Sequence, residues 1–559
     1  SSGGIGVVLA GHPYHLDPEV NHGIPEVIGS YGVTIFTEDS VCHRVDEVGG
    51  VDDLYVVDQW VYHSRLYRTA TLLARHPEFK DVHMIQLNSF GCGLDAISAD
   101  QSAALLQRHG KLHTLIKIDE GKNNGAVKIR IRSLLASVKK GKRPLPEQTE
   151  SSKTQSVSSP KESVATRTIL CPPLSSHHFQ FLEMAMRDAG LDFRVLPEGD
   201  RDAVELALKY VNNDACYPAM VVVGQFLKAL ASGEYDLERT DCLYAQTGGA
   251  CRASNYVPLL RRALDMAGYE RVRILAANAQ ENGGAEKFSI PPKTLWKCLL
   301  GMLYGDMLMK LHLSTRPYET IKGSADALYR KWVDIAKKNV CNGSWNAFKA
   351  NVAEMVRAFD ALPVDLTPRP RVGIVGEILV KYHVNSNERL VETIEAEGGE
   401  AVVPDISNFM LYCLMDSIYS HKLLEGSFLS RLFAQGGIIL LERMRRPMRK
   451  ALAGTRFGEI HKIDSLASMG ASMVSPANQA GEGWLLTAEM MNLIENGVKN
   501  VICVQPFACL PNHITGKGVA KELKKRYANA NILALDYDSS VSKVNQLNRI
   551  KLLMATARV

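Results

Sequence analysis

Residues 501–513 read Val-Ile-Cys-Val-Gln-Pro-Phe-Ala-Cys-Leu-Pro-Asn-His. The stretch begins with an apolar, mostly β-branched run that is typical of a buried parallel strand, and Pro511 ends the strand pattern. Cys509 therefore falls on a loop at the carboxyl end of a strand, which is where open α/β sheets bind ligands. The stretch predicts a parallel α/β sheet with a thiol at its ligand-binding edge.

A similar pattern near the N-terminus indicates an internal repeat. Phe90-Gly91-Cys92 matches Phe507-Ala508-Cys509. Two further pairs keep equal spacing from these cysteines: Asp119 and Asp536 follow by 27 positions, and Arg132 and Arg549 follow by 40. Equal spacings without a gap predict that residues 4–142 and 369–559 are two copies of one domain.

Length and composition indicate a multidomain globular protein. The chain has 559 residues, which is too many for one hydrophobic core. It is 46% hydrophobic, and its 65 basic and 60 acidic residues leave a net charge of only +5. No basic cluster is interleaved with aromatic residues, and no apolar run reaches 18 residues. We therefore expect a cytoplasmic protein that binds neither nucleic acid nor membrane.

Alternating strand and helix patterns predict an α/β fold with doubly wound parallel sheets. Residues 143–166 are rich in Ser, Thr and Pro and predict a flexible linker. The remaining segments are predicted as follows: 4–142, an α/β domain carrying the Cys92 loop; 167–285, an α/β domain carrying Cys216 and Cys251; 286–368, helical; and 369–559, an α/β domain carrying the Cys509 loop, with a helical insertion at about 406–470. In the first domain, His12, Tyr14 and His15 follow the first strand and are either polar loop residues or ligand contacts.

The eleven cysteines include no Cys-x-x-Cys pair, so we expect reduced thiols and any metal site to be assembled from distant loops. Cys216 and Cys251 fall at predicted helix N-terminal turns, where the helix dipole favours a thiolate. Together with Cys509 they could hold three irons of a cubane and leave the fourth open. A zinc site completed by His513 or His178 is the alternative. The other cysteines are expected to be small buried hydrophobes: Cys42, Cys171, Cys242, Cys298, Cys341, Cys413 and Cys503.

Four motifs resemble those of the 2-hydroxyacyl-CoA dehydratase superfamily, and in particular its large activase-related proteins and double-cubane-cluster proteins. They are Asn88-Ser89-Phe90-Gly91-Cys92-Gly93, Asn213-Asp214-Ala215-Cys216-Tyr217-Pro218, Gln246-Thr247-Gly248-Gly249-Ala250-Cys251-Arg252 and Gln505-Pro506-Phe507-Ala508-Cys509-Leu510-Pro511-Asn512-His513. The resemblance implies flavodoxin-like α/β domains and a cluster reduced by an ATP-hydrolysing activase. It implies that Cys216, Cys251 and Cys509 ligate one 4Fe-4S cluster and that Cys92 belongs to a second. The cofactor could then be half of an 8Fe-9S double cubane.

The chain departs from the family pattern in two ways. The first repeat copy has no counterpart of residues 167–285, so we expect the companions of Cys92 to lie upstream of residue 1 on a longer polypeptide. The activase's phosphate-binding motifs are absent, so we expect ATP hydrolysis on an activase protein or on another part of such a polypeptide.

Three functions fit this resemblance. The first is an iron–sulfur component that reduces a small molecule. The alternatives are a 2-hydroxyacyl-CoA dehydratase working through a ketyl radical, and a non-catalytic cluster carrier or scaffold. A homodimer is also compatible with the family.

Overall fold

The computed structural model describes residues 4–52, 54–89, 91–119, 121, 124–140, 166–246, 251–276, 285–540 and 542–557. The predicted linker at 143–166 lies, except for Thr166, outside these residues. Three sheets contain only parallel strands. The α/β class predicted from the sequence is therefore confirmed.

The first sheet has the order β2-β1-β3-β4, with β1 at Gly6–Ala10, β2 at Thr34–Thr37, β3 at Val82–Ser89 and β4 at His113–Ile118. Every residue of β1 is buried, as expected for a central strand covered on both faces. The helices around this sheet are Pro18–Asn21, Ile24–Gly29, Glu38–Val41, Val61–Arg75, Gly93–Gln107 and Asn124–Lys139.

The second sheet has the order β6-β5-β7-β8-β9, with β5 at Thr168–Cys171, β6 at Asp192–Val195, β7 at Thr240–Tyr244, β8 at Arg273–Ala276 and β9 at Glu286–Lys287. Its helices are Ser176–Asp188, Arg201–Ala207, Tyr217–Ala231 and Tyr256–Met266. Three long helices follow it, at Pro292–Leu313, Ser324–Asn342 and Trp345–Asp360.

The third sheet has the order β11-β10-β12-β13, with β10 at Arg371–Gly376, β11 at Glu400–Val402, β12 at Asn500–Pro506 and β13 at Asn531–Tyr537. Between β11 and β12 the chain forms helices Ile406–Leu423, Phe428–Leu452, Ile463–Ala471 and Gly483–Glu495. The remaining helices of this part are Ile378–Tyr382, Leu390–Ala396, Leu510–Asn512, Ala520–Arg526 and Lys543–Ala557.

The first and third sheets share strand order and most of their register. Val7 pairs with His83, and Val372 pairs with Asn500, each partner lying nine positions before the loop cysteine. The backbone agrees as well, because Gly91 and Ala508 both have positive φ angles, 74° and 55°. Cys92 and Cys509 then adopt nearly identical φ/ψ values of −75°/106° and −68°/106°.

The fourth strands differ in register, so the predicted equivalence of Asp119 and Asp536 is wrong. Ile118 pairs with Ser89, and Tyr537 pairs with Pro506, where Ser89 and Pro506 each lie three positions before the cysteine. Asp119 therefore corresponds to Asp538. In the third sheet, two more residues separate Cys509 from the matching position of the last strand than separate Cys92 from it in the first sheet. The equal 27-residue spacing in the sequence therefore does not place Asp119 and Asp536 at equivalent positions.

Hydrogen bonds and a cation–π contact hold the region of the first sheet against that of the second. Val57 N–H donates to Asn255 Oδ1 at 2.8 Å, and Asn212 Nδ2 donates to Asp100 Oδ1 at 2.9 Å. The Arg262 guanidinium lies 4.4 Å from the centre of the Tyr55 ring. These contacts bring the first sheet's Cys92 loop close to the cysteine loops of the second sheet.

Within the described part of the chain, no helix combines the length and the apolar character needed to cross a membrane.

Candidate functional site

All four cysteines of the family motifs occupy the position just before a helical turn. Cys92 precedes helix Gly93–Gln107, and Cys216 precedes helix Tyr217–Ala231. Cys251 precedes the 3-10 turn Arg252–Asn255, and Cys509 precedes the short helix Leu510–Asn512. The sequence predicted this position for Cys216 and Cys251, and the structure extends it to Cys92 and Cys509.

The Arg252 side chain connects the cysteine loops of the second and third sheets. Its Nη1 donates to Ala215 O at 2.6 Å and to Asp214 O at 3.2 Å. Its Nη2 donates to Ala508 O at 2.9 Å and to Phe507 O at 3.5 Å. Ala215 and Ala508 immediately precede Cys216 and Cys509, so one guanidinium fixes both thiol-bearing loops beside Cys251.

The Cys92 loop packs against the same guanidinium. A Cβ atom on Gly93 would lie 2.0 Å from Arg252 Nη1, and a Cβ on Gly91 would lie 3.0 Å from Ala508 Cβ. Only glycine fits at Gly93 while Arg252 keeps its position. Cys92 therefore lies next to the Cys251 and Cys509 loops, whereas the sequence predicted that its companions lie upstream of residue 1.

Electrostatics distinguish three of the thiols from the fourth. A Cys216 thiolate would raise the pKa of Cys251, and a Cys251 thiolate would raise that of Cys509. The leading effect at both sites is burial. For Cys92 the main influences on its pKa are burial and the Asp95 carboxylate, with a smaller opposite effect from Arg252. Cys251 thus interacts with both Cys216 and Cys509, whereas Asp95 is the leading charged neighbour of Cys92.

Burial also overturns the expected thiol acidity. The sequence predicted that helix N-terminal turns lower the thiol pKa, but burial raises the pKa of Cys251 to about 12 and that of Cys92 to about 11. Cys216 and Cys509 are also raised by burial. Desolvation of a thiolate therefore outweighs the effect of the helix dipole at these cysteines.

A cavity of about 300 Å³ opens beside this group. Its lining includes Cys216, Tyr217, Arg252, Phe507, Tyr537 and Asp538. The cavity therefore lies between the second and third sheets and exposes one of the thiols. Tyr256 contacts the same thiol, with its hydroxyl oxygen 3.1 Å from Cys216 Sγ.

Two buried carboxyl groups approach the third-sheet loop. Glu482 Oε1 accepts the Ile378 N–H at 2.8 Å, and Asn512 donates to Glu482 Oε2 at 2.9 Å when its amide nitrogen faces that carboxyl. In that orientation the Asn512 oxygen accepts the Glu377 N–H at 3.1 Å. Burial, followed by the negative charge of Glu482, raises the pKa of Glu377, and burial raises that of Glu482.

The predicted zinc alternative loses one of its two histidines. Both ring nitrogens of His178 are engaged, Nδ1 with Ser175 Oγ at 2.9 Å and Nε2 with Asp306 Oδ1 at 3.0 Å. His513 lies close enough to Arg252 for the guanidinium to lower its pKa, although burial is the larger cause.

The other cysteines only partly follow their predicted role as buried residues. All eleven are free thiols. Cys171, Cys242 and Cys503 are buried, whereas Cys42, Cys298 and Cys341 are partly accessible and Cys413 is exposed on helix Ile406–Leu423.

Sequence reasoning missed the residues that organise the site around the cysteines. Arg252 and Tyr256 were visible only as parts of the Cys251 motif and its following helix. The position of Arg252 directly after a motif cysteine was the available signal, since buried arginines need several acceptors.

Comparison with known proteins gives a match at the start of the chain. Residues 1–41 match a family model described as CoA enzyme activase uncharacterised domain (DUF2229). The match is consistent with the 2-hydroxyacyl-CoA dehydratase and activase-related superfamily. No curated protein matches the chain.

Proposed function

We propose that this chain is an iron–sulfur redox component related to the 2-hydroxyacyl-CoA dehydratases. Cys216, Cys251 and Cys509 would ligate one 4Fe-4S cluster, and Cys92 would belong to a second cluster or to the other half of an 8Fe-9S double cubane. The observation that carries the proposal is the grouping of three cysteines from two sheets around the buried guanidinium of Arg252.

The chemistry of these residues fits such a cluster. Thiolates are the usual protein ligands of iron–sulfur clusters, and three of them leave one iron available to a substrate. Arg252 supplies a positive charge that offsets the negative charge of thiolates, and its hydrogen bonds fix the loops that carry two of them. The Tyr256 hydroxyl is placed to donate a hydrogen bond to the Cys216 sulfur, which is one way proteins adjust a cluster's reduction potential.

The cavity beside Cys216 favours an enzyme over a cluster carrier. A space of about 300 Å³ is at the lower end of the range of small-molecule sites. Cys216, Cys251 and Cys509 would hold the cluster beside this space, and the cluster would supply low-potential reduction of a small molecule or an acyl-CoA, with an ATP-hydrolysing activase as the electron donor. The match of residues 1–41 to a CoA enzyme activase domain supports an activase partner.

Anaerobic reconstitution with iron and sulfide tests the cluster. We expect about four irons per chain, because among the described residues Arg252 interacts with one set of three cysteines, Cys216, Cys251 and Cys509. Cys216→Ser, Cys251→Ser and Cys509→Ser should each lose most of that iron, since a serine hydroxyl is far less acidic than a thiol whose ordinary pKa is about 8.5. Cys92→Ser should keep it.

Cys413→Ser is the matched control because Cys413 is exposed on a helix. Iron and sulfide assays and EPR of the reduced protein provide the readouts. Equal iron in the parent and the three variants would contradict the proposal. About eight irons in the parent, or equal losses in Cys92→Ser and Cys509→Ser, would mean that Cys92 has its companions within this chain.

A further inference from the structure

Two histidines and an aspartate meet at the carboxyl edge of the first sheet. One ligand atom from each of His12, His63 and Asp95 lies within 4.8 Å of the other two. His12 Nε2 donates to Asp95 Oδ1 at 2.6 Å, and His63 Nε2 lies 3.7 Å from the same oxygen. We propose that these three side chains bind a divalent first-row transition-metal ion, independently of any cluster at the cysteine loops.

Three separate elements supply the ligands. His12 follows β1, His63 lies in the first turn of helix Val61–Arg75, and Asp95 lies in the first turn of helix Gly93–Gln107. The parallel topology brings the end of β1 and the start of the helix after β3 to the same edge. The site is therefore formed by the fold and not by a local sequence motif.

His63 provides the second, independent indication of a ligand. Its side chain is only 3% exposed, and neither ring nitrogen has a hydrogen-bond partner among the described residues. The 3.7 Å contact with Asp95 is too long for a hydrogen bond. An unsatisfied buried polar group costs about 1–3 kcal/mol, so such a residue calls for a missing partner. A metal ion at the shared Asp95 oxygen would supply it.

Neighbouring side chains hold the ligands in place. Asp95 Oδ2 accepts the Ser89 N–H at 3.2 Å, which leaves Oδ1 facing the histidines. His15 Nδ1 accepts the His12 N–H at 3.0 Å, and His15 Nε2 bonds Ser89 Oγ at 2.9 Å. Such outer contacts fix ligand orientation in metal sites.

The donor set selects the class of metal. Two imidazoles and one carboxylate suit zinc, iron, cobalt or nickel, whereas magnesium and calcium prefer oxygen ligands alone. Metal–ligand lengths of about 2.0–2.2 Å place tetrahedral ligand atoms about 3.4 Å apart. Small side-chain rotations would lengthen the 2.6 Å contact between His12 Nε2 and Asp95 Oδ1 and shorten the wider separations of up to 4.8 Å toward this value. His12 is 12% exposed and gives the ion a route in.

The third sheet lacks this donor set. By register, Glu377 occupies the position of His12, and Asn512 occupies that of Asp95. Asn512 there binds Glu482 and the Glu377 backbone. The loop geometry that the two sheets share therefore forms without histidines. The histidines at the first sheet are not needed for that geometry, which is consistent with a separate role as metal ligands.

Titration of the full chain with Co²⁺ tests the site. Co²⁺ bound by imidazole and carboxylate has visible d–d absorption without the thiolate-to-metal charge-transfer band that cysteine ligands produce. We expect one such ion per chain, with affinity reduced at least tenfold in His63→Gln and Asp95→Asn. His43→Gln is the matched control because His43 is exposed in the same part of the chain.

Asp95→Glu keeps a carboxylate and should retain binding more strongly than Asp95→Asn, which separates ligand loss from misfolding. Melting temperature and circular dichroism check each variant's fold. The proposal requires a bound Co²⁺ ion that both His63→Gln and Asp95→Asn lose and that His43→Gln keeps. If no such ion is found, the proposal is overturned. It is equally overturned if all bound Co²⁺ shows thiolate charge transfer.

Discussion

At the scale of single residues, Arg252 does more than any cysteine to organise the candidate site. It is 7% exposed and gives hydrogen bonds to four backbone carbonyls on two loops. A buried guanidinium tolerates this environment because its planar fork satisfies several acceptors at once. Burial is the largest effect on the Arg252 pKa and lowers it, but negative charge at Cys216, Cys509, Tyr256 and Cys251 would outweigh burial and raise the pKa.

Arg252→Lys should separate the loops without removing any thiol. A lysine ammonium is a compact point charge and cannot reach Ala215 O and Ala508 O with the geometry of a fork. We expect a loss of about 2–4 kcal/mol of stability, from hydrogen bonds of a charged group worth about 1.5–3 kcal/mol each. Reconstituted iron should fall below half of the parent value.

Arg261→Lys is the control for this change. Arg261 also donates to a backbone carbonyl, Val272 O at 2.7 Å, but lies on the helix that follows the Cys251 loop. Iron assay and thermal melting compare the two variants. Parent-like iron binding in Arg252→Lys would show that the loops are held by other contacts.

The residue scale also shows where sequence reasoning ends. The four cysteines were identifiable from motifs because each follows a strand or turn and precedes a helix. The direction of their pKa shifts could not be predicted from the sequence, because the burial that raises the pKa of Cys251 is created by residues distant in the chain. His63 and Asp95 were missed for the same reason: they lie 51 and 83 positions from His12, and only the sheet brings them together.

At the scale of elements, the sequence predicted what local patterns encode. The apolar runs of β1, β3, β5, β7 and β12 and the helices between them follow from hydrophobic periodicity. The two-residue strand β9 and the shifted register of β13 carry no such pattern. Register depends on which residues face the partner strand, so equal spacing in the sequence was an insufficient guide.

One helix contact links elements that lie far apart in sequence. Asp306, within helix Pro292–Leu313, accepts the N–H groups of Ile406 at 2.7 Å and Ser407 at 3.2 Å. It thereby satisfies the first turn of helix Ile406–Leu423 and also accepts from His178 Nε2 at 3.0 Å. Burial is the largest single effect on the Asp306 pKa and raises it, but the interactions with His178, Ser407 and Arg445 together outweigh burial and lower the pKa.

Asp306→Ala should destabilise the chain by about 3–5 kcal/mol, because it leaves a buried imidazole and two helix N–H groups without their partner. Asp306→Asn keeps an acceptor and should lose less. Asp334→Ala, at an exposed position on helix Ser324–Asn342, is the control. Melting temperature ranks the variants, and hydrogen exchange should be fastest at residues 406–407 in Asp306→Ala. Equal melting temperatures for the two alanine variants would contradict this role.

At the scale of the whole molecule, the described residues include two kinds of buried titratable group. One kind lowers stability as pH falls, and the other lowers it as pH rises. Burial lowers the pKa of His83, His113 and His383 to about 4. These histidines stay neutral in the folded chain, whereas in the unfolded chain they take up a proton below about pH 6.5. The free energy of unfolding therefore falls as pH falls from about 6.5 toward 4. Burial raises the pKa of Asp416 to about 7, so this group lowers stability as pH rises from about 4 to 7.

Asp416 allows the loss of stability with rising pH to be tested with one substitution. Its Oδ1 accepts the Trp484 indole N–H at 2.8 Å, which links helix Ile406–Leu423 to helix Gly483–Glu495. In the unfolded chain its pKa is about 3.9, so between pH 4 and 7 the folded chain holds a proton that the unfolded chain has released. The free energy of unfolding therefore falls as pH rises through this window, by up to about 4 kcal/mol for a shift of about three units.

Asp416→Asn should remove this dependence, because asparagine keeps the acceptor for Trp484 and carries no charge at any pH. The melting temperature of the variant relative to the parent should rise between pH 5 and pH 8, measured at one scan rate and constant ionic strength. Asp334→Asn, at an exposed helix position, should show a difference from the parent that hardly changes with pH. If the Asp416→Asn difference were equally flat, Asp416 would already be ionised in the folded chain at pH 5, and the loss of stability toward alkaline pH would have to come from other buried acids, such as Glu377 and Glu482.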